Sequence, residues 1–161
     1  MVAHLPPDAF EPEMALLRDN VLSEARGWLG TPYQHQASLK GVGCDCLGLL
    51  RGVWRAFYGD EPKTAPDYSS DWAETGGQEN LLTAGRRWLV ERAKEVAEPG
   101  DVLVFRWRDG SPAKHVGILS APITAAPHII HAYERVGVIE SPLVPAWQRR
   151  IATVFSFPEI D

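Results

Sequence analysis

Apolar side chains return at helical spacing through the first part of the chain, and then the pattern changes. Met14, Leu17, Val21, Leu22, Ala25 and Trp28 recur every three or four positions, the period of one helix face. Pro12 suits a first helical position, and Gly30 with Pro32 provides a stop. The spacing predicts a helix over 12–28. A polar loop, TPYQHQASLKGVG, follows. A second helix is predicted over 46–58, with Leu47, Leu50, Trp54 and Phe57 on one stripe and Gly48, Gly52 and Ala56 on another. An interior glycine weakens a helix by about 1 kcal/mol relative to alanine, so the small stripe implies close approach to another backbone. Asp45 can cap the start of this helix, and Gly59 can end it. A third helix is predicted over 79–94, with Leu81, Leu82, Trp88 and Leu89 on one side.

Glu98-Pro99-Gly100-Asp101 is a strong turn signal. Beyond it lie short β-rich runs at 102–107, 115–120, 128–133, 136–140 and 151–157, separated by Pro or Gly. Strands joined so closely pair antiparallel, because parallel crossovers need a dozen or more residues. Helices first and strands afterwards is the α+β pattern.

Composition narrows the function classes. The 161 residues are 45% hydrophobic, with six Trp, and 16 Lys and Arg stand against 21 Asp and Glu for a net charge of −5. A chain of this length buries roughly 70% of its unfolded surface, enough for one core, and 1–161 is read as a single domain. The acidic balance argues against a nucleic-acid-binding protein. No run approaches the roughly 18 apolar residues of a membrane span. The N-terminus, MVAHLPPDAFEPEM, lacks the basic start and apolar run of a secretory signal. The expectation is a protein made in the cytoplasm, leaving it only by a route that needs no signal. Residues 1–10 read as a flexible or docking tail. Residues 60–78, rich in Pro, Asp, Ser and Gly, read as a long surface excursion.

The chemistry centres on Gly43-Cys44-Asp45-Cys46-Leu47-Gly48. Cys44 and Cys46 are the only cysteines, too close together to form a disulfide framework. Thiolate is the nucleophilic form, and a helix N-terminus can bring its pKa from about 8.5 into the range of roughly 3.5 to 7.5. The same free N–H groups can hold an oxyanion. Cys46 is better placed for this than Cys44. A cysteine nucleophile needs a base, and the base an orienter. His115 opens a predicted strand, and His131 lies on a neighbouring one. Strand alternation puts His131 on the face of Ile129, and His128 opposite. If the face of Ile129 packs toward the helices, His131 can reach the ring of His115. Free cysteine is also among the most buried residue types, so spacing alone leaves Cys46 open between nucleophile and core residue. A zinc site drawn from Cys44, Cys46, His35, His115 and His131 is disfavoured, because C-x-C is tighter than the usual ligand spacing. No metal or organic cofactor is expected.

Five segments fall in one order: Gly30-Thr31-Pro32-Tyr33, Asp45-Cys46-Leu47-Gly48-Leu49, Pro99-Gly100-Asp101-Val102, His115-Val116-Gly117-Ile118 and Ile130-His131-Ala132. In that order the chain resembles the NlpC-type cysteine peptidases, cell-wall hydrolases of the papain-like superfamily. The resemblance implies an α+β papain-like fold with N-terminal helices on a C-terminal antiparallel sheet. It implies Cys46 as nucleophile, His115 as base, His131 as the residue that orients His115, and Tyr33 beside the nucleophile with a hydroxyl that helps to hold the oxyanion. Asp45 reads mainly as a cap. The substrate implied is the peptide stem of peptidoglycan, typically cut between D-γ-glutamyl and a diamino acid. The pattern departs from the family at Leu47, where a serine is usual, and at the extra Cys44, read as structural ahead of the alternative of a reversible oxidised partner. His35 with Gln36, and GCDCLGLLRGVWR as a whole, look more like the phage-tail branch, with His35 read either as lining the substrate groove or as a solvated loop residue. That branch implies carriage on a phage tail or gene transfer agent particle, with tail hub or baseplate proteins as partners of the tail 1–10 and the excursion. Trp72 is read either as an interface anchor or as folded back on its own domain. An inactive structural module of the same fold, and an amidase or acyltransferase of the same superfamily, remain as alternatives.

Overall fold

Pro99-Gly100-Asp101 delivers the chain into its sheet, and the geometry explains all three residues. Gly100 adopts φ 99°, and a side chain there would run into Arg18. Its amide donates to the Leu119 carbonyl at 2.8 Å. Asp101 is fully buried and accepts from Arg18 Nε at 3.1 Å, Ser156 Oγ at 2.7 Å and the Glu98 amide at 2.9 Å. One carboxylate thereby ties the first helix, the start of one strand and the end of another together. Buried charges persist when paired and hydrogen-bonded in this way.

The computed structural model describes residues 11–62 and 80–160. Helix α1 spans Glu11–Arg26, and α2 spans Cys46–Tyr58. Between them lies a small hairpin of β1 (Ser38–Leu39) and β2 (Gly43–Cys44). Helix α3, Asn80–Trp88, leads to β3, Val90–Arg92, and a 3₁₀ turn, Lys94–Val96. Then come β4 (Val102–Phe105), β5 (His115–Leu119), β6 (His128–Tyr133), β7 (Gly137–Pro142), α4 (Pro145–Gln148) and β8 (Ile151–Ser156). The six strands β3 to β8 form one sheet in the order β3-β8-β4-β5-β6-β7, antiparallel throughout. Among the described residues no helix is long and apolar enough to cross a membrane.

The architecture is the expected α+β one, with α2 and the strands β5 to β8 close to their predicted bounds. Other elements differ. The helix predicted over 12–28 stops at Arg26, and Trp28 sits in the turn that follows, its amide bonded to Ala25. The helix predicted over 79–94 ends at Trp88. Val90–Arg92 pairs instead with Val154–Ser156 at the sheet edge, and that pairing overrides the helical preference of Glu-Arg-Ala-Lys-Glu. Strand β4 stops at Phe105, where the register against β8 shifts. The tail 1–10, Glu79, and the excursion beyond Pro62 with Trp72 lie outside the described residues.

Each sheet face has its own core. Val102, Val104, Val116, Ile118, Ile130 and Ala132 face the helices, where they meet Leu17, Val21, Leu49 and Val53. Leu103, Phe105, Leu119 and Ile129 face the other way, beneath Leu143, Trp107 and Trp147.

Candidate active site

The start of α2 is held by its own N-cap. Asp45 Oδ1 accepts the Gly48 amide at 2.7 Å, and Oδ2 accepts the Gln36 amide at 2.7 Å. The carboxylate is buried. It holds Gln36 in the left-handed conformation, φ 64°, which most residues enter only at a cost. The loop 34–39 is pinned further along the helix. Ser38 Oγ donates to the Gly48 carbonyl at 2.6 Å, and Arg51 donates to the Gln36 carbonyl at 3.2 Å. Backbone bonds from Gln34 to Cys44 and from Cys44 to Pro32, both 3.0 Å, set Tyr33 beside the hairpin.

Cys46 is the first residue of α2 and is half-buried. Its sulfur receives the backbone amides of Val116, Leu47 and Cys46 itself. The Val116 amide is the point where the helix start meets the sheet, one residue along from His115. The pKa of the thiol runs against the sequence expectation. The helix N-terminus was expected to lower it; burial and then the Asp45 carboxylate push it up to about 12, and the three amides only offset part of that. Desolvation penalises the charged form more than the helix end stabilises it.

His115 and His131 are both buried, and His115 Nε2 lies 2.9 Å from His131 Nδ1. His131 Nε2 lies 3.2 Å from Ser141 Oγ. Burial, and for His115 also the neighbouring His131, lowers the pKa of His115 to about 3; burial lowers that of His131 to about 4. The two rings meet, but not for the reason the alternation suggested. Ile129 faces away from the helices, and His131 shares that face. The pairing was conditional on the helix-facing side, and the opposite side provides it. Gly117 makes room, since a side chain there would strike Ile129 and the Cβ of His131. His128 lies outside the pair, its Nδ1 2.8 Å from the Ala126 carbonyl.

Aromatic rings enclose the histidines. Trp147 stands edge-on to His115 at 5.8 Å and to His131 at 5.2 Å between ring centres. Trp107 stacks on His115 at 5.6 Å, and Tyr133 meets His131 at 5.6 Å. Neither this enclosure nor Ser141 was legible in the sequence. Ser141 becomes a neighbour of His131 only through the β6–β7 register, in which it stands opposite Ile129. Trp147 sits on the four-residue α4 announced only by Pro145.

Other singled-out residues fall on the helix side. Burial and then Cys46 and Asp45 push the Tyr33 phenol up to about 12, so it stays protonated in electrostatic reach of the thiol. His35 is 40% exposed, with Nδ1 3.7 Å from Asp45 Oδ2. Cys44 is completely buried, and burial drives its thiol up to about 12; it behaves as a core residue of the hairpin. Among the described residues no three His, Cys, Asp or Glu side chains converge as a metal site. A cavity of about 540 Å³ opens between α2, α3 and the sheet, reaching Gln36, Leu47 and Val116 beside the site.

No family model matches the sequence, and no curated protein matches it. The fold is similar to those of solved structures. One is an NLP/P60-family, lipoprotein-like protein, SAV0400 of Staphylococcus aureus, with TM-score 0.58 and 18% identity over 90% of this chain and 42% of that one. Another is NlpC2 of Trichomonas vaginalis, with TM-score 0.58 and 20% identity over 88% of this chain and 46% of that one. A third is Ly7917, solved with the hydrolysing product of MDP, with TM-score 0.60 and 14% identity over 88% of this chain and 63% of that one. The chain thus spans from two-fifths to under two-thirds of these proteins' lengths. The shared fold is the α+β, papain-like fold of NlpC/P60 proteins.

Proposed function

We propose that the chain is a cysteine peptidase of the NlpC/P60 type that hydrolyses peptide stems of bacterial peptidoglycan. The observation that carries this reading is the hydrogen-bonded His115–His131 pair, placed next to the Val116 amide that meets the Cys46 thiol. On this reading Cys46 at a helix start is the nucleophile, and His115 and His131 on two neighbouring strands are base and orienter.

His115 Nε2 is committed to His131, so Nδ1 is the nitrogen left for the thiol. Burial keeps the resting pair neutral, as thiol and imidazole. On substrate binding the Cys46 proton passes to His115 Nδ1 as the sulfur attacks the scissile carbonyl carbon. The C=O electron pair moves onto oxygen, where the Cys46 amide, which lies beside the sulfur, and the Tyr33 hydroxyl donate to it. Collapse breaks the C–N bond, and the imidazolium returns its proton to the leaving amine. Water, deprotonated by the same imidazole, then hydrolyses the thioester and restores the thiol. His131 accepts the His115 Nε2–H throughout, supporting the transient imidazolium.

The fold likeness to Ly7917 supports a peptidoglycan-derived substrate. The finer reading follows the motif resemblance: the D-γ-glutamyl–diamino acid bond is cut, His35 and Asp45 border the groove, and a phage tail or gene transfer agent particle carries the enzyme on hub or baseplate proteins. The test is digestion of Gram-negative peptidoglycan by wild type and Cys46→Ala, with fragments weighed by mass spectrometry. Stem fragments from wild type alone are expected, and their masses identify the bond. Fragments from both proteins would remove Cys46 as nucleophile, and none from either would overturn the peptidase reading of the free chain. His115→Ala is expected to be nearly as damaging as Cys46→Ala, and His131→Ala milder.

A further inference from the structure

The hydrogen-bond chain does not end at His131. Its Nε2 faces Ser141 Oγ at 3.2 Å, while its Nδ1 faces His115 Nε2 at 2.9 Å. Ser141 reaches it across two strands: it is paired with Ile129 in the β6–β7 register, on the same face as His131 and diagonal to it. A neutral imidazole carries one N–H and one acceptor nitrogen, and the partner of one nitrogen fixes the role of the other.

We propose that Ser141 is a positioning residue that accepts from His131 Nε2 and so stabilises the tautomers both histidines need for His115 to act as base. The inference deepens the reading of Cys46, His115 and His131 as a hydrolytic site and rests on it. A base at His115 Nδ1 must begin unprotonated there, so its one proton sits on Nε2. That N–H donates to His131 Nδ1, which must then be an acceptor. The proton of His131 is left on Nε2, where Ser141 Oγ is the acceptor that receives it. Reversing the chain, with Ser141 donating to His131 Nε2, places protons on His131 Nδ1 and His115 Nδ1. That polarity blocks the base before the thiol can use it. When His115 gains its second proton, only the first polarity lets its Nε2–H find an acceptor. Trp147 and Trp107 close over the rings, and among the described residues Ser141 Oγ is the partner seen at His131 Nε2.

The test is ¹⁵N NMR of the imidazoles in the full chain, for wild type, Ser141→Ala and Ser141→Thr. Wild type is expected to show both histidines protonated at Nε2 and bare at Nδ1. Ser141→Ala is expected to shift part of His131 to the Nδ1–H form, and Ser141→Thr, which keeps a hydroxyl, to restore the wild-type pattern. In hydrolysis of stem peptides, Ser141→Ala should lower kcat roughly tenfold with KM little changed, by analogy with the lower end of the scale for partners behind metal-ligating histidines. Nδ1–H on His131 in wild type, or tautomers unmoved by Ser141→Ala, would overturn the proposal. So would a rise in KM with kcat unchanged. A chain inactive on stem peptides would sink the peptidase reading, while the NMR arm would still decide the role of Ser141.

Discussion

Gly48 lies directly against the carbonyl oxygen of Ala37, with no space for a methyl group between them. This contact brings the loop carrying Tyr33 and His35 down onto the first turn of α2. Ser38 fastens it through the Gly48 carbonyl, and Arg55 holds Ser38 through its hydroxyl at 2.8 Å. Sequence and site are linked here by the absence of a side chain.

Gly48→Ala should therefore damage both stability and hydrolysis. Overpacking at such a site costs about 1–3 kcal/mol, and relief requires the loop to lift from the nucleophile. Gly52→Ala is the control: its methyl would strike the Trp28 ring, on the core side and away from the loop. Thermal melting should fall for both variants, with peptidoglycan hydrolysis lost far more in Gly48→Ala. Equal activity per folded molecule in the two would show that the loop contact does not shape the site.

Asp45→Asn separates the cap from the charge. Asn keeps the cap on the Gly48 amide but its NH2 cannot accept from Gln36, so the fold should hold with a modest loss of stability. The carboxylate is the second cause of the raised Cys46 pKa, after burial. Removing its negative charge lowers the thiol pKa, and the pH profile of Cys46 alkylation should move toward lower pH. Asp45→Ala should instead lose about 0.5–2 kcal/mol from the cap, with more from the orphaned Gln36 amide. An alkylation profile that stays in place in Asp45→Asn would mean the carboxylate does not act on the thiol.

The Asp101 junction should be worth more than any surface pair. Asp101 is fully buried against Arg18 and Ser156, and removing one partner of a buried ion pair costs about 3–5 kcal/mol. Arg18→Ala leaves Arg92 Nε, at 4.0 Å, as the cation beside the carboxylate, so urea unfolding should show a loss at the lower end of that range. Arg26→Ala, which breaks the exposed pair with Glu140, should cost at most about 1 kcal/mol. Similar losses for the two would contradict the burial argument.

The legible part of this molecule is what local sequence controls. Helix α2 appears at its predicted bounds, because Asp45 caps it, Gly59 ends it and its apolar stripe has one face. The strands after Pro99 were legible because turn residues separate β-rich runs. What was hidden depends on partners distant in sequence. Val90–Arg92 looks helical until β8 offers an edge. The side of the sheet on which His131 lies depends on which face the helices cover, a choice alternation cannot make. Ser141 and Trp147 reach the histidines only after register and the short α4 are fixed. The thiol pKa follows the same divide: the helix end that favours a thiolate is local, and the burial that opposes it is not.

Stability should record the buried histidines as the pH falls. Their folded pKa values, about 3 for His115 and about 4 for His131, lie below the ordinary 6.5. Between those limits the unfolded chain binds protons that the folded chain refuses, so their contribution is whole above about pH 6.5 and drains away as the pH drops. Glu61 and Glu140, whose carboxyls arginines hold below their ordinary 4.5, add their own loss only below about that value. The upper part of the fall, the window from about pH 6.5 to about 5.5, therefore reports the histidines ahead of these two carboxyls. Urea midpoints of wild type should fall steadily through it. Trp147→Ala admits water to both rings and raises their pKa values, so its midpoint, lower at pH 7, should fall less steeply across the same window. A slope as steep as wild type in Trp147→Ala would show that the indole does not seal the pair.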